Sequence, residues 1–294
     1  MTTGPATDLR ARDGAGKIRD RLFVAVLLVL TSLGLLVLAA LLFDTGRDGL
    51  PQVNLDFLTS FPSSFPQKAG IRSALLGTLW LMAVVAAVIV PLGVATAVYL
   101  EEYADRSRWW NRVIEVNIQN LAAVPSIVYG ILGLAYFVRG PFALGRTVLA
   151  GGLTLSLVVL PVVIITAREA IRAVPPSIRD GALALGATPW QTTWKQVLPA
   201  SSPGIATGVI LSLSRAIGET APLILVGAAT FVAFNPTSLD SPFTALPLQI
   251  FSWISQPNEK FQALAAAAIV VLLVMLVFLN AIAIWLRNRY QRRW

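Results

Sequence analysis

The chain contains no cysteine and no histidine. That absence excludes disulfides, thiol nucleophiles, Cys/His metal sites and imidazole general bases together. Charge is scarce as well: 13% of residues are Asp, Glu, Lys or Arg against 56% hydrophobic, a balance outside the range of soluble domains and typical of membrane proteins. A phosphate-binding loop is also lacking. The run GAGK at 14–17 has the look of one, but Ala11 stands where the upstream glycine is required, no Ser or Thr follows Lys17, and no strand precedes it. Nor is there an inverted internal repeat of the kind that marks many secondary transporters.

What the chain has is hydrophobic length. A hydrocarbon layer of about 30 Å needs roughly 20 helical residues, and uncharged stretches of that size occur at 22–43, 74–99, 147–167 and 263–286. Pro91 and Pro161 fall inside two of them, which spanning helices tolerate when neighbours satisfy the freed carbonyl. Two further stretches are less regular: 118–138 begins with polar residues and carries Pro125, and 204–234 contains Arg215 and Glu219. The expectation is an all-α polytopic membrane protein with six transmembrane helices. It divides into a tail (1–21), a first span (22–43), an irregular outer loop (44–73), a five-helix core (74–286) with a structured loop at 172–203, and a second tail (287–294). A second outer loop, 235–262, offers Phe243, Phe251 and Trp253 for interfacial packing.

Net charge is +8, which in a soluble protein would raise nucleic acid as a partner. The location of the charge argues against it. Arg10, Arg12, Lys17, Arg19 and Arg21 precede the first span; Arg106, Arg108 and Arg112 follow the second; Arg168, Arg172, Arg179 and Lys195 follow the fourth; Arg287, Arg289, Arg292 and Arg293 close the chain. With six crossings these groups lie on one side, so the positive-inside bias predicts that both termini are cytoplasmic. Orientation in the membrane, not nucleic acid, accounts for the charge. The first hydrophobic stretch is too long for the core of a signal peptide and lacks a small-residue cleavage site, so it reads as a retained anchor.

The loop between spans four and five is the most structured polar segment. After Pro175 and Pro176, Ser177 is expected to cap a helix with Asp180 near its N-terminal dipole, and Ile178, Ala182 and Leu185 fall on one face. Gly186 then interrupts. Thr188, Pro189 and Gln191 form a second start signal, a capping box with proline at the first helical position. Trp190, Trp194 and Val197 are expected to share a face until Pro199 ends the helix. Two readings stand: a connector lying on the bilayer surface with its tryptophans at headgroup level, or an amphipathic docking element for a partner.

Arg215 and Glu219 raise a separate problem. A charge at the centre of a spanning helix costs about 2.5 to 3.5 kcal/mol, whereas an i,i+4 pair returns about 0.2 to 0.5 kcal/mol in water, and desolvation opposes any gain from weaker screening. The rest of the cost must be met by a watery cavity, by polar groups from other helices, or by an anionic ligand. Arg215 lies about 16 Å of helix rise beyond Gly204, near mid-membrane if the helix starts there. Ser212, Ser214 and Thr220 add hydroxyls, and Gly218 permits close backbone approach. A substrate pathway and a structural ion pair both remain open. Glu115, Asn117, Gln119 and Asn120, where the third span begins, read as cap and helix contacts.

These segments resemble a known family. DGALALG at 180–186 followed by QVLP at 196–199 is similar to the cytoplasmic EAA loop of ABC importer permeases, in which Glu-Ala-Ala, three residues and Gly precede Ile-x-Leu-Pro at fixed spacing. Ala182, Gly186, Leu198 and Pro199 match; Asp180 stands for the glutamate, Gly181 for the first alanine and Gln196 for the isoleucine. Together with RAIGETAPL at 215–223 and AAVPSIVYGILG at 122–133, the chain resembles PstA-type permease subunits of phosphate ABC importers from its first span to its end. The resemblance implies a type I ABC importer permease (MetI-like) fold and a non-catalytic transport subunit. It implies a PstC-type permease as heterodimer partner, two PstB-type ATPases that bind ATP and Mg, and a PstS-type protein that delivers phosphate; no cofactor would belong to this chain. Arg215, Glu219, Ser212, Ser214 and Thr220 would line the substrate pathway. Asp180, Gly181, Ala182, Gly186, Trp190, Trp194, Leu198 and Pro199 would couple to the ATPase. An importer for another oxyanion or solute is the alternative, and a proton-coupled carrier using Glu219 a more distant one.

Overall fold

The computed structural model describes residues 14–105, 107–228 and 231–290. Residues 1–13 and 291–294, which include the outermost parts of both expected tails, and Arg106 lie outside the described residues. The architecture is all-helical. Its main elements are α1 (Gly14–Gly49), α2 (Arg72–Tyr103), α3 (Trp109–Ala123), α4 (Ser126–Val138), α5 (Val148–Arg172), α6 (Pro176–Ala184), α7 (Pro189–Gly218), α8 (Ala221–Val226), α9 (Leu246–Ile254) and α10 (Glu259–Tyr290). Five of these are long and apolar enough to cross a membrane, six if α3 and α4 count as one broken span. Helix α1 begins inside the expected first tail, and α10 runs on into the second.

Helix α5 is the centre of the bundle, and α2 and α7 pack along it. Val85, Ile89, Leu155, Val159 and Val163 are fully buried in this core. Small residues set the spacing, because lipid supplies no hydrophobic drive between helices and close van der Waals approach must do so. A Cβ on Gly152 would come within 2.5 Å of the Val84 side chain, and one on Gly208 would collide with Thr166. By contrast, none of the residues from 19 to 44 is buried. Only the far end of α1 meets the bundle, where Gly49 sits directly on the Ala266–Ala267 backbone.

The third span is as irregular as its sequence suggests, and two expectations about other segments are corrected. The third span is not straight: α3 and α4 meet at 101°, because Val124 precedes Pro125 and is held in extended backbone with ψ 132°. The fifth span begins at Pro189 rather than near 204 and stops at Gly218, where Glu219 turns extended with ψ 114°. Helix α8 follows it and closes on a left-handed Gly227 with φ 81°. Pro199 does not end the helix. The five residues Thr193–Val197 form a wider π turn, which relieves the clash between a proline ring and the carbonyl four residues back. That extra width rotates Val197 into the core while Trp190 and Trp194 stay exposed.

The start of α6 also differs. Pro175 caps it and Pro176 occupies its first turn without a side-chain cap, since proline already holds φ near the helical value; Ser177 lies inside the helix. The expected capping box of α7 forms in full, Thr188 Oγ1 accepting from Gln191 N and Gln191 Oε1 from Thr188 N. At the opposite end of the bundle the second loop folds inward. Phe243 and Trp253 are buried within the protein, Phe251 is exposed, and Leu246 N donates to Thr78 Oγ1 at 2.9 Å.

Candidate functional site

Arg215 and Glu219 form the i,i+4 pair that their spacing predicts, with Arg215 Nε 3.3 Å from Glu219 Oε1. The two differ sharply in exposure: the arginine side chain is 56% exposed and the glutamate 17%. Leu211, one turn earlier on the same face, is exposed too, so the guanidinium stands on an otherwise apolar surface. Its depth follows from the neighbouring helix. Arg287 Nη1 on α10 donates to Thr207 Oγ1 at 2.9 Å, and Ser214 Oγ pairs with Asn280 Oδ1 at 2.6 Å. Arg287 ends the uncharged run of α10, and Arg215 lies about 12 Å further along α7 than Thr207. The charge therefore sits well inside the hydrophobic zone.

The hydroxyls near it are placed differently from one another. Ser212 is buried and its Oγ has no partner among the described residues. Ser214 is engaged with Ile210 O and Asn280, and Thr220 Oγ1 lies 3.4 Å from Gly218 O at the helix break. Arg215, Gly218, Glu219 and Thr220 are thus gathered at one interruption of the backbone, with Ser212 and Ser214 turned to the protein side.

The loop residues gather at one end of the bundle, where the arginines lie. Asp180, Gly181 and Gly186 are exposed and Ala182 is half-buried; Ala182, Gly186, Gln191 and Lys195 line an open cleft of about 280 Å³. Gly186 adopts φ +85°, a left-handed conformation that glycine takes without steric cost. Leu185 beside it is 91% exposed. The Trp190 and Trp194 rings are exposed and stack at 5.1 Å with a 52° tilt. Leu198 and Pro199 are half-buried in α7, and Leu198 packs on the cluster of Ala167, Ile171 and Ile205.

Sequence reasoning did not foresee the charge network behind this loop. Glu101 and Glu102 sit in a π turn at the end of α2. Glu101 Oε1 accepts from Arg168 Nε and Arg172 Nη2, each at 2.8 Å, and Arg168 Nη2 reaches Glu115 at 2.7 Å. Arg179 on α6 pairs with Glu102 at 2.7 Å. Glu115 is a helix contact, as expected. The available signal was the pair of adjacent carboxylates closing an apolar run opposite an excess of arginines. At the start of α3, Asp105 accepts from Ser107 Oγ and N and from Arg108 Nε. Those hydrogen bonds, the Ser107 hydroxyl foremost and the Arg108 charge adding to them, hold its carboxyl below the ordinary value.

Comparisons with known proteins agree with this architecture. A family model described as "Binding-protein-dependent transport system inner membrane component" matches residues 89–294. The phosphate transport system permease protein PstA of Xylella fastidiosa (strain Temecula1) is 36% identical over 251 residues, covering 82% of this chain and 83% of that protein. A chain of the bacterial alginate ABC transporter, solved in complex with its alginate pentasaccharide-bound periplasmic protein, superposes with a TM-score of 0.68 at 17% identity, covering 96% of this chain and 99% of that one. A chain of the inward-facing MetNI methionine ABC transporter superposes with a TM-score of 0.59 at 16% identity, covering 76% and 95%. At these identities the structural likeness is one of fold. With a family match over well more than half its length, the chain belongs to the binding-protein-dependent transport system inner membrane components and has the MetI-like fold of type I ABC importer permeases.

Proposed function

We propose that this chain is the permease subunit of an ATP-driven importer that moves inorganic phosphate into the cell, with both termini and the α6–α7 loop in the cytoplasm. The observation that carries the reading is the half-exposed guanidinium of Arg215 on an apolar face, deep in the hydrophobic zone and offset by a single carboxylate. A planar, permanently charged fork suits phosphate oxygens. Glu219 weakens the positive field, which favours release over capture at a conducting site. The helix break at 218–220 supports the same reading, since irregular backbone at membrane depth is tolerated where it lines a cavity or is buried in protein. The relationship to the Xylella fastidiosa phosphate permease favours phosphate over other oxyanions.

The exposed apolar residues of the loop, Leu185, Trp190 and Trp194, fit a groove on a cytoplasmic ATPase. In this reading Asp180, Gly181, Ala182 and Gly186 form the contact, and Leu198 and Pro199 anchor it to the bundle. A PstC-type permease, two PstB-type ATPases holding ATP and Mg, and a PstS-type phosphate-binding protein complete the assembly. The uncovered face of α1 meets lipid or the partner permease.

The test is Arg215→Gln in the assembled transporter. We expect the complex to copurify intact and phosphate uptake to fall sharply. Loss of assembly instead would mark the pair as a structural contact between permease subunits, the second reading that its exposure in the single chain allows. Uptake at the original rate would refute a role in the pathway.

A further inference from the structure

Helix α6 is held to the bundle in a peculiar way. None of its nine residues is buried, so apolar packing contributes little to its position. Among the described residues, its side-chain hydrogen bonds to other elements come from one guanidinium. Arg179 Nη2 and Nε donate to Glu102 Oε1 at 2.7 and 3.1 Å, Nη2 also reaches Ile171 O at 2.9 Å, and Nη1 reaches Val174 O at 2.7 Å. The arginine side chain is 23% exposed and the glutamate 10%. Ile171 O, which also accepts from Val174 N at 3.2 Å, and Val174 O belong to the last turn of α5 and the segment just after it, the helix end at which a cation is favoured.

One side chain therefore joins three elements. Two of them, α5 and α6, are neighbours in the chain; the third, α2, is 77 residues away in sequence. Glu102 is adjacent to Glu101, and through Glu101, Arg168, Arg172 and Glu115 the ends of α2, α3 and α5 form one continuous network. Apolar contacts allow a helix to slide. A forked guanidinium on a carboxylate fixes both distance and angle, and such a pair contributes more to defining geometry than to net stability.

We propose that Arg179 is the positioning residue through which movement of α6 is transmitted to α2, α3 and α5 as one body. Without the clamp α6 pulls through its covalent ends, on α5 and α7, and α2 is left behind. The inference rests on the reading of α6 as part of the ATPase-docking loop.

The test uses the assembled transporter in vesicles, with Arg179→Gln, Glu102→Gln and the double variant, and it measures phosphate moved per ATP hydrolysed. We expect each single variant to keep the ATPase bound and to lower that ratio by about tenfold, the scale of losing a charge-assisted hydrogen bond. The double variant is expected to fall no further than either single one, as for residues that act as a unit. Glu102→Gln lies away from the docking surface and carries the test if Arg179→Gln fails to reach the membrane. An unchanged ratio in either variant, or additive losses in the double, overturns the clamp. Detachment of the ATPase from Arg179→Gln overturns it too, by assigning Arg179 to the docking contact. In a parallel arm, Trp190→Ala with Trp194→Ala is expected to detach the ATPase; retention of the ATPase with normal uptake there would sink the docking reading and leave the clamp geometry untouched.

Discussion

Replacing Gly186 with valine separates backbone strain from crowding at the turn between α6 and α7. A Cβ built on Gly186 meets nothing within 4 Å, yet the residue holds φ +85°. Any loss therefore comes from the backbone. A residue with a Cβ in the left-handed region loses about 1 to 2 kcal/mol relative to glycine, and β-branching makes valine a true outlier there. A shift of that size changes a local equilibrium by a factor of about 5 to 30, enough to leave the turn largely unformed if it is only marginally stable by itself. The consequence is a misplaced α6, with Leu185, Trp190 and Trp194 no longer arrayed as one surface. Hydrogen exchange across 178–192 is expected to accelerate, and copurification of the ATPase and phosphate uptake to fall together. Gly186→Asn is the control, since asparagine enters the left-handed region far more readily; it should retain most of both. Normal uptake and unchanged exchange in the valine variant would refute the argument that this turn must be left-handed to work. Equal damage by valine and asparagine would show that space, not backbone conformation, is limiting.

Gly181 lies in the interior of α6 with no positive φ and open space around it, so Gly181→Ala should stabilise α6 by about 0.5 to 1 kcal/mol; slower exchange in 178–184 of the permease is the expected result, and faster exchange would contradict it. Thr78 is buried, donates to Ala74 O and accepts from Leu246 N. Thr78→Val keeps the shape but orphans a buried N–H, at a cost of about 1 to 3 kcal/mol; the melting temperature of the purified complex should drop, and an unchanged value would mean that the Leu246 amide finds another acceptor. The Asp105 carboxyl, held below its ordinary value by Ser107 and Arg108, contributes order to its contacts with those two residues that is present above the unfolded-state pKa and lost as pH falls through the lower folded value. The Ser107 amide resonance should therefore stay in place through the ordinary carboxylate range and move only on further acidification; a shift centred on the ordinary value would contradict the hydrogen-bonded turn.

Much of this protein is determined locally. Backbone polar groups in hydrocarbon must bond within their own segment, so the uncharged runs that became α1, α2, α5 and α10 need no partner to declare themselves. The capping box at Thr188 and Gln191 and the interruption at Gly186 are equally legible, because each depends on residues within one turn of chain. The i,i+4 pairing of Arg215 with Glu219 also follows from spacing alone, although its neighbours Ser212 and Ser214 turned to the protein side for reasons that lie on other helices.

Proline shows where local information ends. Pro91 and Pro161 lie inside continuous helices, Pro199 is accommodated by a π turn, and Pro125 marks a bend of 101°. The residue is the same in each case; the outcome depends on how the surrounding helices pack and on whether the displaced carbonyls find room. The clamp at the base of the bundle depends still more on tertiary structure. Glu101, Glu102, Arg168 and Arg179 can be read from the chain as charges, but Coulomb interaction and hydrogen bonding depend on separation in space. Pairs 53 to 77 residues apart in sequence come within 2.8 Å only because α2 and α3 both pack against α5, and α6 follows directly from its end. The sequence by itself determined which segments enter the membrane, and the folded bundle decided which of the charges left at its edge would meet.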